Sequence, residues 1–209
     1  MNCQNHPVQR RRILHFCPVE SDRIIELISA LSCLWSIWLN TRRNTLGWPV
    51  GLFSVLLAGW VYFQSRLFAE CGLQVFYFVS GLYGWQQWAA SEKSADDQAV
   101  AVGILSRREG AAGIFLALFL SACIFVVLQQ FPRAGSPLPD ALLTGFSLLA
   151  QFWLARRILE NWLLWMAVNA GSVLLYLQRE LWFFALLYLA LLLLAFRGYA
   201  GWKKSISRA

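Results

Sequence analysis

Residues 181–202 read LWFFALLYLALLLLAFRGYAGW, and the first sixteen of them contain no charged side chain. A continuously apolar run of this kind is typical of a membrane-spanning helix, because a strand of a membrane barrel alternates apolar and polar residues. The glycine-bearing flank at 198–202 extends the helix toward the length that a bilayer requires. The stretch therefore predicts an integral membrane protein.

The composition of the whole chain agrees with this prediction. Of 209 residues, 58% are hydrophobic and 14% are charged, and the mean hydropathy is +0.52. A soluble domain keeps roughly a quarter of its residues charged, and a disordered chain lacks this much apolar surface. The net charge of +7 would suggest nucleic acid in a soluble protein. Here the basic residues lie in short gaps between apolar runs, so we expect them to set membrane topology and expect no nucleic-acid partner.

The apolar runs divide the chain into seven predicted spans. They cover residues 24–39, 46–63, 71–88, 111–128, 141–155, 162–177 and 181–196. We predict an all-α integral membrane protein, with a polar tail at 1–20 and a single transmembrane domain at 21–205. Eleven basic residues fall on one side of the spans and three on the other, apart from four in the tail. The positive-inside rule then places the C-terminus in the cytoplasm, although the tail alone argues for the opposite orientation.

Two parts of the chain resemble each other weakly. The sequence GLYGW at 81–85 matches GYAGW at 198–202 at an offset of 117. Asn44 and Trp48 match Asn161 and Trp165 at the same offset, whereas Gln64 matches Gln178 at 114. We predict repeats at about 24–88 and 141–202, joined by a linking helix at about 111–128. Three spans, one span and three spans give two parallel repeats, an architecture of transporters that hold substrate near the membrane midplane.

The sixth span contains the most specific local pattern, Trp162-x-x-Trp165-x-x-x-Asn169. Positions i, i+3 and i+7 share one face of a helix, so two indoles and a carboxamide point the same way. Indole faces attract flat or cationic rings, and an amide can both donate and accept hydrogen bonds. These residues are therefore candidate substrate ligands. The alternative is an interfacial tryptophan belt with Asn169 linking two helices.

The third span offers a candidate partner face formed by Gln74, Tyr77 or Phe78, and Gly81. A glutamine in hydrocarbon is costly unless it is hydrogen-bonded, so Gln74 has to meet another helix or a ligand. Glycine in such a span usually permits close helix contact, and that alternative also holds for Gly81.

The distribution of ionisable residues argues against catalysis and against a metal centre. All eleven acidic residues lie outside the predicted spans or at their margins, so a facilitator fits better than a proton-coupled carrier. Cys3, His6, His15 and Cys17 in the tail have no standard zinc spacing. The spans contain no nucleophile–base pair or metal set. We therefore expect neither an enzyme nor a cofactor.

Several motifs resemble those of the PnuC family of bacterial vitamin transporters. They are the stretch from Phe63-Gln64 through Leu73-Gln74 to Tyr83-Gly84-Trp85, and Glu160-Asn161-Trp162-Leu163-Leu164-Trp165-x-x-x-Asn169. The resemblance covers about residues 24–202. It implies a seven-helix, SWEET-like fold arranged as three, one and three helices, and a homotrimer in the bacterial inner membrane. It also implies facilitated diffusion of nicotinamide riboside, which a cytosolic kinase then traps by phosphorylation.

Carried over to this chain, the resemblance places Trp162, Trp165 and Asn169 in the vitamin site, with Gln74 and neighbouring aromatic residues opposite. One departure is Gly81, where riboside carriers of this family have Asn; the loss of that amide would remove a polar contact. Thiamine and riboflavin, which similar transporters carry, therefore stay open as substrates. An alternative of another class is a non-transporting membrane assembly subunit whose tryptophan-rich face is a helix interface.

Overall fold

The computed structural model describes residues 20–64, 68–94, 102–130 and 137–207, and these ranges contain seven α-helices. The helices are α1 (Glu20–Thr41), α2 (Gly47–Gln64), α3 (Phe68–Ser94), α4 (Arg107–Gln129), α5 (Pro137–Ala155), α6 (Asn161–Gln178) and α7 (Trp182–Ile206). Most of the predicted polar tail, with its two cysteines and two histidines, lies outside the described residues. The predicted all-α class is confirmed.

Each predicted span corresponds to one helix, and most of the helices are longer than the apolar runs. The largest extension is in α7, which continues through the glycine-bearing flank to Ile206. Within the described residues, four helices are long and apolar enough to cross a membrane by length and composition: α1, α4, α5 and α7. The other three contain the Trp, Gln and Asn residues that the sequence singled out.

The helices pack in two consecutive groups. Helix α2 contacts both α1 and α3, α6 contacts both α5 and α7, and α4 contacts α5. The α1–α2 contact is polar at one level, because Ser29 Oγ donates to the Ser54 carbonyl at 3.0 Å and Ser54 Oγ donates to the Ser29 carbonyl at 2.8 Å. Two further contacts, α1–α7 and α3–α5, join the two groups. We call α1–α3 and α5–α7 the two halves.

The loops α1–α2 and α5–α6 have the same backbone conformation at an offset of 114 residues. Arg43 and Arg157 both have φ of 57°. The Arg43 N–H donates to the Asn40 carbonyl at 3.0 Å, and the Arg157 N–H donates to the Leu154 carbonyl at 3.0 Å. This left-handed turn ends the first helix of each half with the chain already aimed into the second.

The offset of 117 is therefore wrong for the start of the second helix. The Trp48 N–H donates to the Thr45 carbonyl at 3.1 Å, and the Trp162 N–H donates to the Leu159 carbonyl at 3.2 Å. Trp48 thus corresponds to Trp162 and not to Trp165. The error arose because glycine and tryptophan recur at three-residue intervals in this sequence, which gives alternative matches one helical turn apart.

The segment before α4 is hydrogen-bonded to the α5–α6 loop through its backbone. The Gly103 N–H donates to the Arg157 carbonyl at 3.0 Å, and the Leu159 N–H donates to the Gly103 carbonyl at 2.9 Å. Helix α4 then begins with a capping box formed by Ser106 and Glu109. These bonds fix where the linking helix starts relative to the second half.

Candidate functional site

Four tryptophans, one from each of α2, α3, α6 and α7, meet between the two halves. They are Trp48, Trp88, Trp162 and Trp202, each at most 4% exposed, and we call them the tryptophan tetrad. Ring centroids are 5.5 Å apart for Trp48–Trp88, 5.9 Å for Trp88–Trp202 and 5.4 Å for Trp162–Trp202. Such spacing and the edge-on geometry of the two outer pairs give favourable aromatic contacts. The tetrad lies at the end of the bundle that contains the α1–α2 and α5–α6 loops, with Arg43 and Arg157.

The tetrad is symmetric at the same offset of 114. Trp88 Nε1 donates to the Ala155 carbonyl at 3.2 Å, and Trp202 Nε1 donates to the Asn40 carbonyl at 3.1 Å. Each bond runs from the last helix of one half to the end of the first helix of the other. The outer tryptophans lie against glycines, because a Cβ at Gly84 would meet the Trp48 ring and one at Gly198 would lie 2.6 Å from the Trp162 ring.

Only two of the four indole N–H groups in the tetrad, those of Trp88 and Trp202, donate a hydrogen bond to an acceptor in the described residues. The Nε1–H groups of Trp48 and Trp162 are buried without an acceptor in the part of the chain that the structure describes. An unmade buried hydrogen bond costs about 1–3 kcal/mol. The guanidinium of Arg157 lies over the Trp88 ring, 5.1 Å from its centroid. The tetrad therefore combines two hydrogen bonds between the halves with two buried N–H groups that lack an acceptor among the described residues.

A second group of side chains lies toward the other end of the same helices. Tyr62, Tyr77, Tyr176 and Tyr188 come from α2, α3, α6 and α7, and we call them the tyrosine cluster. The other three tyrosines and Cys33 of α1 are the neighbouring titratable groups of Tyr188. The Tyr188 ring stacks on Tyr176, with centroids 5.2 Å apart. Tyrosines of both halves thus meet at this level.

The tyrosine cluster and the tetrad lie at different depths. Fourteen residues separate Trp48 from Tyr62, and fourteen separate Trp162 from Tyr176. At 1.5 Å of rise per residue, each pair is about 21 Å apart along its helix. Asn169 lies midway between the two members of the α6 pair. The distance between the tetrad and the tyrosine cluster is therefore about two thirds of the thickness of a hydrocarbon core of about 30 Å.

The predicted residues of α6 divide between these environments. Trp162 belongs to the tetrad and is 1% exposed. Trp165, one turn further, is half-buried and packs against the same aromatic core, with its Nε1–H buried and without an acceptor in the described ranges. Asn169 is 4% exposed. Trp165 and Asn169 are thus the members of the motif that lie between the tetrad and the tyrosines.

The predicted residues of α3 lie nearer the tyrosine cluster. The Tyr77 phenol interacts with the Ser147 side chain of α5, in the other half. Gln74 is half-buried, and its Cβ and Cγ lie 3.6 and 3.9 Å from where a Cβ on Gly59 of α2 would be. Phe78 is also half-buried. Of this set, Tyr77 makes the clearest contact between the halves.

Gly81 lies at a close contact between two helices of the same half. A Cβ at this position would lie 2.8 Å from a methyl carbon of Leu52, on α2. The residue is buried at the contact between α2 and α3, where its missing side chain lets the helices approach. This contact agrees with the helix-packing alternative given for Gly81, and its place in the vitamin site stays a prediction.

Sequence reasoning missed Tyr62, Tyr176 and Tyr188. A signal was present, because Gln64 matches Gln178 at an offset of 114 and each is preceded by tyrosine two residues earlier. Tyr188 had no such signal, since it lies within a run of leucines.

The site has the chemistry of a binding site for an uncharged or cationic aromatic molecule. Helices α2 and α6 contain no charged residue. Tryptophan and tyrosine rings stack on flat rings, and phenol and amide groups bond to hydroxyls and carboxamides. Within the described residues, no cluster of three His, Cys, Asp or Glu side chains could hold a metal ion.

Comparison with known proteins identifies relatives over almost the whole chain. A family model described as "Nicotinamide mononucleotide transporter" matches residues 23–204. The nicotinamide riboside transporter PnuC of Escherichia coli is 25% identical over 206 residues, covering 87% of this chain and 85% of that protein. The riboflavin/roseoflavin transporter RibM of Streptomyces davaonensis is 27% identical over 149 residues, covering 71% and 70%. A crystal structure of the vitamin B3 transporter PnuC aligns with a TM-score of 0.72 at 20% identity, covering 90% of this chain and 84% of that one.

Proposed function

Because the chain belongs to the PnuC family of membrane transporters, we propose that it carries nicotinamide riboside across the membrane by facilitated diffusion. The family is one of transporters and not of enzymes. The observation that carries the substrate proposal is the uncharged aromatic stretch between the tetrad and the tyrosine cluster. Nicotinamide riboside has a flat cationic ring, a carboxamide and ribose hydroxyls, which suit that stretch.

In this proposal the ring stacks beside Trp165, and Asn169 bonds to the carboxamide or to a ribose hydroxyl. Gln74 and Tyr77 contribute from the other half, with Phe78 as a further aromatic neighbour. The cation is held by ring faces and not by a carboxylate. A ligand held in this way can leave again without breaking a buried ion pair, as a facilitator requires.

The route is alternating access between the two halves, with the tetrad as the closed gate at the basic end. The common loop conformation and the tryptophan donors Trp88 and Trp202, which share its offset of 114, support two parallel repeats, α1–α3 and α5–α7, with α4 as the linking helix. Opening the gate then requires α3 and α7 to separate from the ends of α5 and α1. Because Trp162 belongs to this gate and lies one helical turn from Trp165, its proposed role is to couple closure of the gate to substrate bound beside Trp165.

Facilitated diffusion becomes net uptake only if the substrate is chemically changed after it reaches the cytoplasm. We place the protein in the bacterial inner membrane with the C-terminus in the cytoplasm, as the basic loops predict. A cytosolic kinase would phosphorylate the riboside and so prevent its return. Assembly as a homotrimer, which the resemblance implies, belongs to the same proposal.

Riboflavin is the second candidate substrate, and the similarity to RibM favours it. Its tricyclic ring is larger and neutral, so stacking would have to replace cation–π attraction. Thiamine is a cationic alternative from the same transporter class. A non-transporting assembly subunit would use Trp165 as a helix contact and bind none of the three molecules.

The experiment is calorimetric titration of the purified full-length protein in detergent with nicotinamide riboside, thiamine and riboflavin. Micromolar or tighter binding of nicotinamide riboside alone supports the proposal. Trp165→Ala should abolish it, whereas Trp182→Ala, on the exposed surface of α7, should leave it unchanged. Tight binding of riboflavin or thiamine instead would replace the substrate. Absence of binding by folded protein would refute the vitamin proposal and favour an assembly role.

A further inference from the structure

A groove of about 600 Å³ lies between α1 and α7, and its lining includes no residue of the tetrad or of the tyrosine cluster. Six apolar residues and one cation line it, among them Leu34 and Trp38 of α1 and Ala190, Leu194 and Arg197 of α7. The groove is open along its length. A molecule lying in it would contact both halves of the protein at one of the two places where they meet.

The groove has a defined polarity relative to the membrane. The bond from Trp202 to the Asn40 carbonyl places the C-terminal ends of α7 and α1 at the same level. Arg197 is therefore near the basic end of the bundle. Ala190 lies seven residues, or about 10 Å, closer to the middle of the membrane. One end of the groove is cationic and the other is wholly apolar.

Further positive charge surrounds the cationic end. The guanidinium of Arg42 lies over the ring of Trp38, 4.1 Å from its centroid. Lys204 follows Arg197 by seven residues and so lies on the same face of α7. Between them, Gly201 brings α7 close to the Thr41 carbonyl, 3.6 Å from where its Cβ would be. Helix α7 contains no acidic residue, so none of its own side chains neutralises this charge.

We propose that this groove binds one anionic phospholipid from the surrounding membrane. Its acyl chain lies along the α1–α7 groove, and its phosphate is bound by Arg197 and Arg42. Arginine suits this role because its planar guanidinium can donate two bonds to one phosphate. Basic pockets between membrane helices are known to bind anionic headgroups.

The equivalent place in the other half lacks the essential cation. At an offset of 114, Arg42 over Trp38 corresponds to Arg156, which lies over Phe152 at 5.7 Å. Arg197 corresponds to Tyr83 of α3. The arginine–aromatic pair is thus repeated, whereas the groove cation is present once. We therefore expect one lipid per chain, and Arg156 is a matched control for Arg42.

The test measures retention of lipid by the purified full-length protein in native mass spectrometry, with phosphatidylglycerol and phosphatidylcholine of identical acyl chains. Phosphatidylglycerol should be retained in preference, at one molecule per chain. Arg197→Ala and Arg42→Ala should each weaken its binding about fivefold, and the double variant about thirtyfold, from about 1 kcal/mol per basic residue. Leu194→Trp, which fills the apolar part, should also displace the lipid.

Three results would overturn the proposal. Equal retention of the two lipids would show that the charges do not select the headgroup. An effect of Arg156→Ala equal to that of Arg42→Ala would show a general surface charge effect. Displacement of phosphatidylglycerol by inorganic phosphate at the same concentration would show that a free anion, and not a lipid, is the ligand. None of these readouts depends on transport of a vitamin.

Discussion

The tetrad predicts how the two halves separate. Replacing both Trp88 and Trp202 with Phe keeps two aromatic rings in the core but removes both indole N–H donors. The bonds lost are 3.2 and 3.1 Å long and end on carbonyls of the opposite half. A buried hydrogen bond contributes about 1 kcal/mol net, so the closed gate should lose about 2 kcal/mol relative to the open one. That difference is about a thirtyfold shift in the gate equilibrium, at 1.4 kcal/mol per factor of ten.

The assay is the labelling rate of a cysteine placed at Leu159, in a protein whose native cysteines have been replaced. Leu159 is 7% exposed and packs in the same core as the tetrad, so reagent reaches it only when the gate opens. A membrane-impermeant maleimide added from the basic side should label the double variant about thirtyfold faster than its parent. Each single variant should give about a fivefold increase.

The control is Trp182→Phe, which makes the same chemical change on a side chain 69% exposed at the start of α7. It should leave the labelling rate unchanged. If the double variant is folded and labels no faster than the parent, the paired indole bonds do not hold the gate closed. If the control accelerates labelling equally, the effect is a general loosening of the bundle.

The remaining predictions concern the packing, the site and one ion pair. Gly198→Ala should lower the free energy of unfolding by about 1–3 kcal/mol in denaturant titration, because the new Cβ would overlap the Trp162 ring. The control, Gly72→Ala, has open space around the new Cβ and should be neutral or slightly stabilising. Tyr77→Phe should weaken substrate binding about tenfold in calorimetry, because the phenol proposed to contact the substrate is lost. Tyr199→Phe, near the basic end, should leave binding unchanged, and equal effects of the two variants would contradict the proposed position of the site. Asp140→Asn should lower the free energy of unfolding by only about 0.5 kcal/mol in thermal unfolding, because the 2.8 Å ion pair between Asp140 and Arg179 is partly exposed. A loss of stability above about 2 kcal/mol would contradict this expectation.

The Trp-x-x-Trp-x-x-x-Asn pattern of α6 illustrates what a helical period can and cannot predict. The spacing of Trp162, Trp165 and Asn169 correctly placed all three on one face, since a helix repeats every 3.6 residues. It could not indicate that the first would enter an aromatic core while the other two lie further along the bundle. That division depends on Gly198 and Trp202, which are more than thirty residues away in sequence.

The repeat shows the same limit. Matching letters gave two offsets, because tryptophan and glycine recur one helical turn apart in this chain. The backbone distinguished between them, because Arg43 and Arg157 share a left-handed conformation at the offset of 114. The tyrosine cluster also became visible only when helices of both halves were brought to one level.

By itself the sequence determined that the protein lies in a membrane, that it is helical and where its seven segments are. In lipid, a continuously apolar run can hydrogen-bond all its backbone N–H and C=O groups within itself only as a helix. It also determined that the buried chemistry is aromatic and amide, since no charge interrupts α2 or α6. Tertiary structure decided which tryptophans close the basic end, which tyrosines face one another, and that Gly81 serves helix contact. These properties depend on distances between residues remote in the chain, and local periodicity carries no information about such distances.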